Sequence, residues 1–232
     1  MTILITRPVD FSTKTEQQFK AAGYDTWKDP VLTIERFPVK IDFDVYDAVI
    51  TTSMVAIHAC AQLRAPCALP FFCAGKASAE FAKDQGFSRV FHPNEPGAMG
   101  IFPLICASEY NRFVYIHGET IKVDLASELR TINRSVDCFC VYKTTPCAAW
   151  HDDTLRLFHQ QKISAITFFS EKSAQATLDL MDKHQLTRFI PHIRALCISD
   201  AVADVVRSYG WRSIEYLGED RGSENRGSER SI

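Results

Sequence analysis

Short apolar runs, alternating or unbroken, punctuate this chain, and between them lie longer stretches with apolar residues three and four apart. The first spacing is that of strands and the second that of helices. Val136–Pro146 (VDCFCVYKTTP) is the clearest strand. Val136, Cys138 and Cys140 alternate with Asp137 and Phe139, and Val141 and Tyr142 extend the run. Lys143, Thr144, Thr145 and Pro146 are expected to stop it, because proline cannot donate to a ladder.

Taken in order, Thr2–Thr6 is a strand and Asp10–Ala22 a helix, with Ser12 or Asp10 as N-cap and Gly23 just past its end. Tyr24–Trp27 is a second strand. Val31–Val39 alternates with no helix behind it, which makes it a candidate partner for Val136–Thr145. From Asp44 strands and helices alternate again. The strands are Ala48–Thr51, Phe71–Ala74, Arg89–Phe91 and Arg112–Ile116; the helices are Met54–Leu63, Lys76–Gln85, Gly97–Ser108 and Lys122–Asn133. Beyond the Val136 strand come helices Asp152–Gln160, Lys172–Lys183 and Asp200–Tyr209, and strands Ala165–Phe169, Ala195–Ile198 and Ser213–Leu217. Residues 219–232 have no apolar periodicity and much Gly, Ser and charge, which predicts a disordered tail.

Two segments repeat. AVITTSMVAIHA (48–59) resembles AITFFSEKSAQA (165–176), and FFCAGKASAEFAKDQGF (71–87) resembles ALCISDAVADVVRSYGW (195–211). Two copies of one α/β lobe follow, with parallel sheets and right-handed crossovers. One lobe is continuous, residues 40–138. The other is split, residues 1–30 with 146–218. Each counts about five strands, the flavodoxin-like size. Segments 31–39 and 139–145 are then a two-stranded antiparallel linker, and Tyr142 is expected to face the space between the lobes.

Composition narrows the function classes. The 232 residues are 46% hydrophobic and 23% charged, as in an ordinary soluble globular protein. Net charge is −2, with no basic run interleaved with aromatics, so neither nucleic acid nor an anionic membrane is an expected partner. No apolar stretch is long enough for a bilayer span. MTILITRPVD reads directly as a strand with no leader, so a cytoplasmic location is expected. The eight cysteines include no CxxC pair and are expected to be reduced, buried, small hydrophobes. The seven histidines show no HxH or HExxH spacing, so no metal site is expected. No long exposed apolar stripe is apparent, which points to a monomer.

In open α/β sheets ligands bind beyond the carboxyl ends of the strands. The residues expected there are Arg7, Thr52, Ser53, Gly75, Lys76, Ser78, Gly118, Glu119, Thr120, Ser170 and Ser199. Singly, such residues cap helices. Several together form an anion-binding rim, because free N–H groups and the helix dipole favour negative charge. GxGxxG, GxxxxGK[ST] and GxSxG are all missing, which argues against a nucleotide fold and a serine hydrolase. A phospho-acceptor domain is set aside because Asp47 precedes its strand rather than ending it. Tyr142 by itself reads as a β-favouring aromatic in a ladder.

Several of these motifs together resemble the uroporphyrinogen-III synthase family: ILITRP at the start, DAVITTSMVA (47–56), FCAGKASA (72–79), VYKT (141–144), AITFFSEKSA (165–174), and CISDAVA followed by GW. The resemblance implies two flavodoxin-like domains on a two-stranded ladder, and closure of linear hydroxymethylbilane with inversion of its terminal ring. The bilane loses its hydroxyl as water and gives an azafulvene cation; the last pyrrole attacks at its substituted carbon, and the spiro intermediate reopens and recloses. The family's tyrosine falls at Tyr142, where it assists hydroxyl departure. No metal or cofactor is implied, and handover from hydroxymethylbilane synthase is. Many members carry threonine where this chain has Ser199-Asp200-Ala201; an acid there repels a substrate carboxylate unless it is engaged, so Ser199 is the expected ligand. The alternative is a non-catalytic bilobed module that binds a tetrapyrrole or another small anion.

Overall fold

The computed structural model describes residues 2–217, so the expected tail at 219–232 lies outside the described residues. Thr2–Ile5 (β1), Val9–Ala21 (α1), Asp25–Lys28 (β2) and Leu32–Arg36 (β3) come first. Next are Ala48–Thr51 (β4), Met54–Gln62 (α2), Phe71–Cys73 (β5), Lys76–Asp84 (α3), Val90–Phe91 (β6), Ala98–Cys106 (α4), Arg112–Gly118 (β7), Leu125–Thr131 (α5) and Ser135–Pro146 (β8). Asp152–His159 (α6), Ile163–Phe168 (β9), Glu171–Lys183 (α7), Arg194–Cys197 (β10), Asp200–Val206 (α8) and Ser213–Tyr216 (β11) follow. Two compact units result: the residues up to Thr33 together with those from Thr145, and Ile34–Thr144.

In the first unit the sheet runs β11-β10-β9-β1-β2, all parallel. Counted along the unit's own chain this is the flavodoxin order 2-1-3-4-5. Its core includes Leu4, Ile166, Phe168, Leu178, Met181 and Ala195, all fully buried. Each of the Leu, Ile, Phe and Met side chains among them contributes about 1.5–3 kcal/mol on burial.

The second sheet runs β3-β8-β7-β4-β5-β6, and the five strands from β8 to β6 are parallel. Counted along the chain they read 3-2-1-4-5 in reverse sense of the flavodoxin start, not the flavodoxin order. The repeats explain the difference. Matching β4 to β9 and β5 to β10 lays β8-β7-β4-β5-β6 on β2-β1-β9-β10-β11, strand for strand. The second sheet is the first entered at its third strand. Equivalent glycines agree: Gly86 and Gly210 both sit left-handed, with φ +96° and +71°, just past their helical segments.

Local differences have local causes. β8 runs unbroken through Pro146, and its part beyond Tyr142 has the β3 segment as its partner. Phe37 N–H donates to Val141, Thr33 Oγ1 to the Thr145 carbonyl, and Cys147 N–H to Val31, an antiparallel pairing in which one number rises as the other falls. Pro146 ends the strand, where no ladder donor is needed. Neither Ser12 nor Asp10 caps α1: Pro8 is the N-cap, and the buried Ser12 hydroxyl donates back to Val9 at 2.9 Å. β7 extends through His117 and Gly118. α5 is shorter than its apolar pattern suggests, starting after Asp124, whose carboxylate accepts the Ser127 N–H. All eight cysteines are free, but only Cys60, Cys73 and Cys197 are buried. Cys138 and Cys140 stay accessible because alternation places them opposite Val141 and its core.

Candidate functional site

Tyr142 is placed by a break in strand alternation. In the β7–β8 ladder His117 lies opposite Cys140 and Gly118 opposite Tyr142, so β8 carries one extra residue, Val141. Such a bulge re-aims the side chains beyond it. Strict alternation would keep Tyr142 with Cys138 and Cys140. The bulge instead sets it against the core of Val114, Ile116, Ala56 and Ile57, which includes the buried side of α2.

The Tyr142 hydroxyl then donates to Ser53 Oγ at 3.0 Å. Ser53 is the N-cap of α2, and the same Oγ accepts the Ala56 N–H at 3.0 Å. The Tyr142 carbonyl accepts the Glu119 N–H at 2.8 Å. Gly118 supplies the space for the ring. A Cβ there would lie 2.5 Å from Tyr142 Cζ and 2.8 Å from Oη. Its backbone is not left-handed, so the ring rather than the turn requires glycine. Burial pushes the Tyr142 phenol above its ordinary pKa.

Beside this pair, Thr52 Oγ1 lies 3.5 Å from the Tyr115 hydroxyl, and the Tyr115 ring stands 5.1 Å from His117. Ser53, Thr52, Gly118, Glu119 and Tyr142 are thus brought together within one unit. Sequence reasoning missed Tyr115. Its signal is positional: it sits two residues before His117, on the strand whose carboxyl end carries Gly118.

The other expected ligands of that unit are accounted for locally. Ser78 is turned onto its own helix start, donating to the Gly75 carbonyl at 2.8 Å and accepting the Gly75 N–H at 3.2 Å. Lys76 is exposed at the first residue of α3, and Thr120 is exposed beyond β7. Asp47 accepts the N–H groups of Asn111 and Arg112, both at 2.8 Å, which hold its carboxyl below the usual range and give it a structural role.

In the split unit, Arg7 follows β1. Its guanidinium lies 4.2 Å from the Phe169 ring centroid and donates to Thr15 Oγ1 at 3.2 Å. Burial lowers its pKa to about 10, which leaves it a cation at neutral pH. A half-buried guanidinium on an aromatic face keeps its charge and its N–H donors in one fixed place. Phe169 was not foreseen, although the repeat puts it opposite Thr52 as Ser170 is opposite Ser53. Ser170 caps α7 and exchanges hydrogen bonds with Ser173; Ser199 caps α8, accepting from Val202. Asp200 accepts the Tyr216 hydroxyl, so its charge is engaged. Among the described residues no three His, Cys, Asp or Glu side chains gather as metal ligands.

The site therefore offers a half-buried phenol at a helix start and, in the other unit, an arginine cation on an aromatic ring. Comparison with known proteins adds the family. The model described as uroporphyrinogen-III synthase HemD matches residues 13–215. No curated protein matches the sequence. Among solved structures, a uroporphyrinogen-III synthetase from Helicobacter pylori is 19% identical with a TM-score of 0.56, covering 93% of this chain and 91% of that one. A mutant uroporphyrinogen III synthase from the extremely thermophilic bacterium Thermus thermophilus is 14% identical with a TM-score of 0.52, covering 96% and 94%. At these identities the two structures bear on the fold alone.

Proposed function

We infer function from a plain premise: the chain belongs to the uroporphyrinogen-III synthase family. It is a cyclising lyase of haem biosynthesis that acts on a small-molecule substrate, hydroxymethylbilane. No helix among the described residues is long and apolar enough to cross a membrane.

How these residues perform the reaction is our reading. Tyr142 is the general acid that protonates the departing hydroxyl. The observation that carries this role is its phenol, half-buried and held by its hydroxyl at the start of α2. A phenol with an ordinary pKa of about 10 keeps its proton at neutral pH and can give it to a leaving oxygen. The pyrrole nucleophile is intrinsically reactive, so the protein's main task is positional: the flexible bilane must be held so that rearranging closure outruns simple closure. The acetates and propionates of the substrate suit Arg7 and the helix starts at Thr52-Ser53, Gly75-Lys76-Ser78, Gly118-Glu119-Thr120, Ser170 and Ser199. Asp200, engaged by Tyr216, does not oppose a carboxylate beside Ser199.

The wider reading is a cytoplasmic monomer that needs neither metal nor cofactor and receives its bilane from hydroxymethylbilane synthase. Its organisation is two flavodoxin-like domains, residues 1–30 with 146–218 and residues 40–138, joined by the strands of 31–39 and 139–145. The first of these domains keeps the flavodoxin order and the second its permuted form.

Turnover of hydroxymethylbilane, with type I and type III products separated, tests the activity. Type III product is expected in excess. Type I alone, at the rate of a control without protein, would end the enzyme reading. Gly118→Ala is a sharper probe of the site: the added methyl pushes the Tyr142 ring off Ser53, and kcat is expected to fall about ten-fold with the fold intact. A parental rate would mean that the ring need not be held there.

A further inference from the structure

Ser53 has a place in the site that helix capping does not exhaust. Its Oγ accepts two hydrogen bonds, from Ala56 N–H and from the Tyr142 hydroxyl, each at 3.0 Å. A serine oxygen has two lone pairs and one hydrogen. Both lone pairs are then in use, and its own hydrogen is the remaining capacity. Tyr142 has been brought to this oxygen by the β8 bulge and by the absence of a side chain at Gly118. The phenol can deliver its hydrogen elsewhere only by turning it away from Ser53. The phenolic oxygen then needs a donor, and the Ser53 hydroxyl is already 3.0 Å away.

We propose that Ser53 is a positioning residue for Tyr142 that reverses its hydrogen bond during the reaction: it accepts from the phenol at rest and donates to the phenolic oxygen as the proton leaves. The proposal rests on the general-acid reading of Tyr142. The step balances. The Tyr142 O–H bond breaks and its proton joins the substrate hydroxyl; the C–O bond breaks with its electron pair on oxygen, water departs, and the pyrrole nitrogen shares the resulting cation. The phenolate left on Tyr142 accepts from Ser53, whose own proton stays in place. After the spiro intermediate reopens, the unsubstituted α-carbon of the terminal pyrrole closes the ring and sheds its one proton, and that proton restores Tyr142. Throughout, Ser53 keeps the Ala56 N–H, so the positive end of α2 stays coupled to the charge that develops on the phenol.

The test is steady-state kinetics of type III formation in the full chain. Ser53→Ala is expected to lower kcat about ten- to a hundred-fold, the range for a lost hydrogen bond to a developing charge. KM should stay within about three-fold, as for an interaction made mainly in the transition state. Ser53→Thr retains the hydroxyl and should restore most of kcat. Ser53→Asp guards against a folding artefact. Aspartate caps helices as well as serine does, but a carboxylate cannot donate. It should melt like the parent and turn over as slowly as Ser53→Ala.

The decisive readout is coupling. In the Tyr142→Phe background, Ser53→Ala should cost less than about two-fold more, because the partner it serves is gone. An equal loss in both backgrounds would reduce Ser53 to a helix cap, and a fully active Ser53→Asp would overturn the donor role. A Tyr142→Phe enzyme as fast as the parent would instead remove the general-acid reading on which the proposal stands.

Discussion

Tyr142→Phe is expected to lower kcat for type III product by about a hundred-fold, with KM little changed, the signature of a lost general acid. The ring remains, so its packing against the α2 core is retained; only the hydroxyl that donates to Ser53 is removed. Two effects then act in one direction. The leaving hydroxyl must depart without an internal proton donor. The Ser53 oxygen also loses a partner, a smaller cost because it keeps the Ala56 N–H and is only half-buried. Substrate binding should survive, since Arg7 and the helix starts are untouched. The isomer ratio should also move. As enzymatic closure slows, spontaneous closure of free bilane claims more of the substrate, and type I product rises. Initial rates with both isomers quantified will check this. A rate within about two-fold of the parent would take the phenol out of the mechanism.

Asp29→Ala should have the largest effect on stability, about 3 kcal/mol or more, because it strands buried donors. Asp29 is 1% exposed just past β2, and its carboxylate ties down the start of α6. It accepts the His151 N–H at 2.9 Å, the His151 Nδ1–H at 2.8 Å and the Thr154 hydroxyl at 2.5 Å. Thr154 is fully buried and in turn accepts the Trp27 indole N–H at 2.8 Å. Removing the carboxylate leaves the His151 N–H groups and the buried Thr154 hydroxyl without their acceptor. Denaturant unfolding is the measurement; a loss below about 1 kcal/mol would mean that water replaces the carboxylate at no great cost.

The same pair makes stability depend on pH in a stated direction. The hydrogen bond and charge of Asp29 raise the His151 pKa above its ordinary 6.5. A group whose pKa is raised by folding contributes stability that is complete below its unfolded value and is lost as pH rises through the folded one. The melting temperature is therefore expected to fall from about pH 6 to about pH 8, by a small amount because the imidazole is exposed. His151→Gln should flatten that slope. An unchanged slope would place the titration elsewhere.

Much of this molecule could be read from local pattern, and the limits of that reading are specific. Ser53, Ser170 and Ser199 stand before helical periodicities, and all three are N-caps. Capping depends on a side chain reaching two or three residues along its own chain, so sequence carries it. The repeats at 48–59 and 165–176 likewise placed equivalent central strands, β4 and β9. Where a side chain's partner lay far along the chain, the reading ran out. The start of α6 is held by Asp29, more than a hundred residues earlier, whose carboxylate takes the N–H of the N-cap residue His151.

Tyr142 shows the division most clearly. Apolar alternation in Val136–Tyr142 was enough to make a strand there, because period two is a property of consecutive residues. Alternation alone also assigned Tyr142 to the side of Cys138 and Cys140. Only the pairing of β8 with β7 decided otherwise, since a bulge exists between two strands and not within one. The extra residue Val141 opposite the His117–Gly118 step, and the missing side chain at Gly118, turn the phenol onto Ser53. The sequence by itself therefore determined that a tyrosine would lie within this strand. The tertiary structure decided which face it took and which hydroxyl received its proton, because both depend on register between segments that sequence order leaves apart.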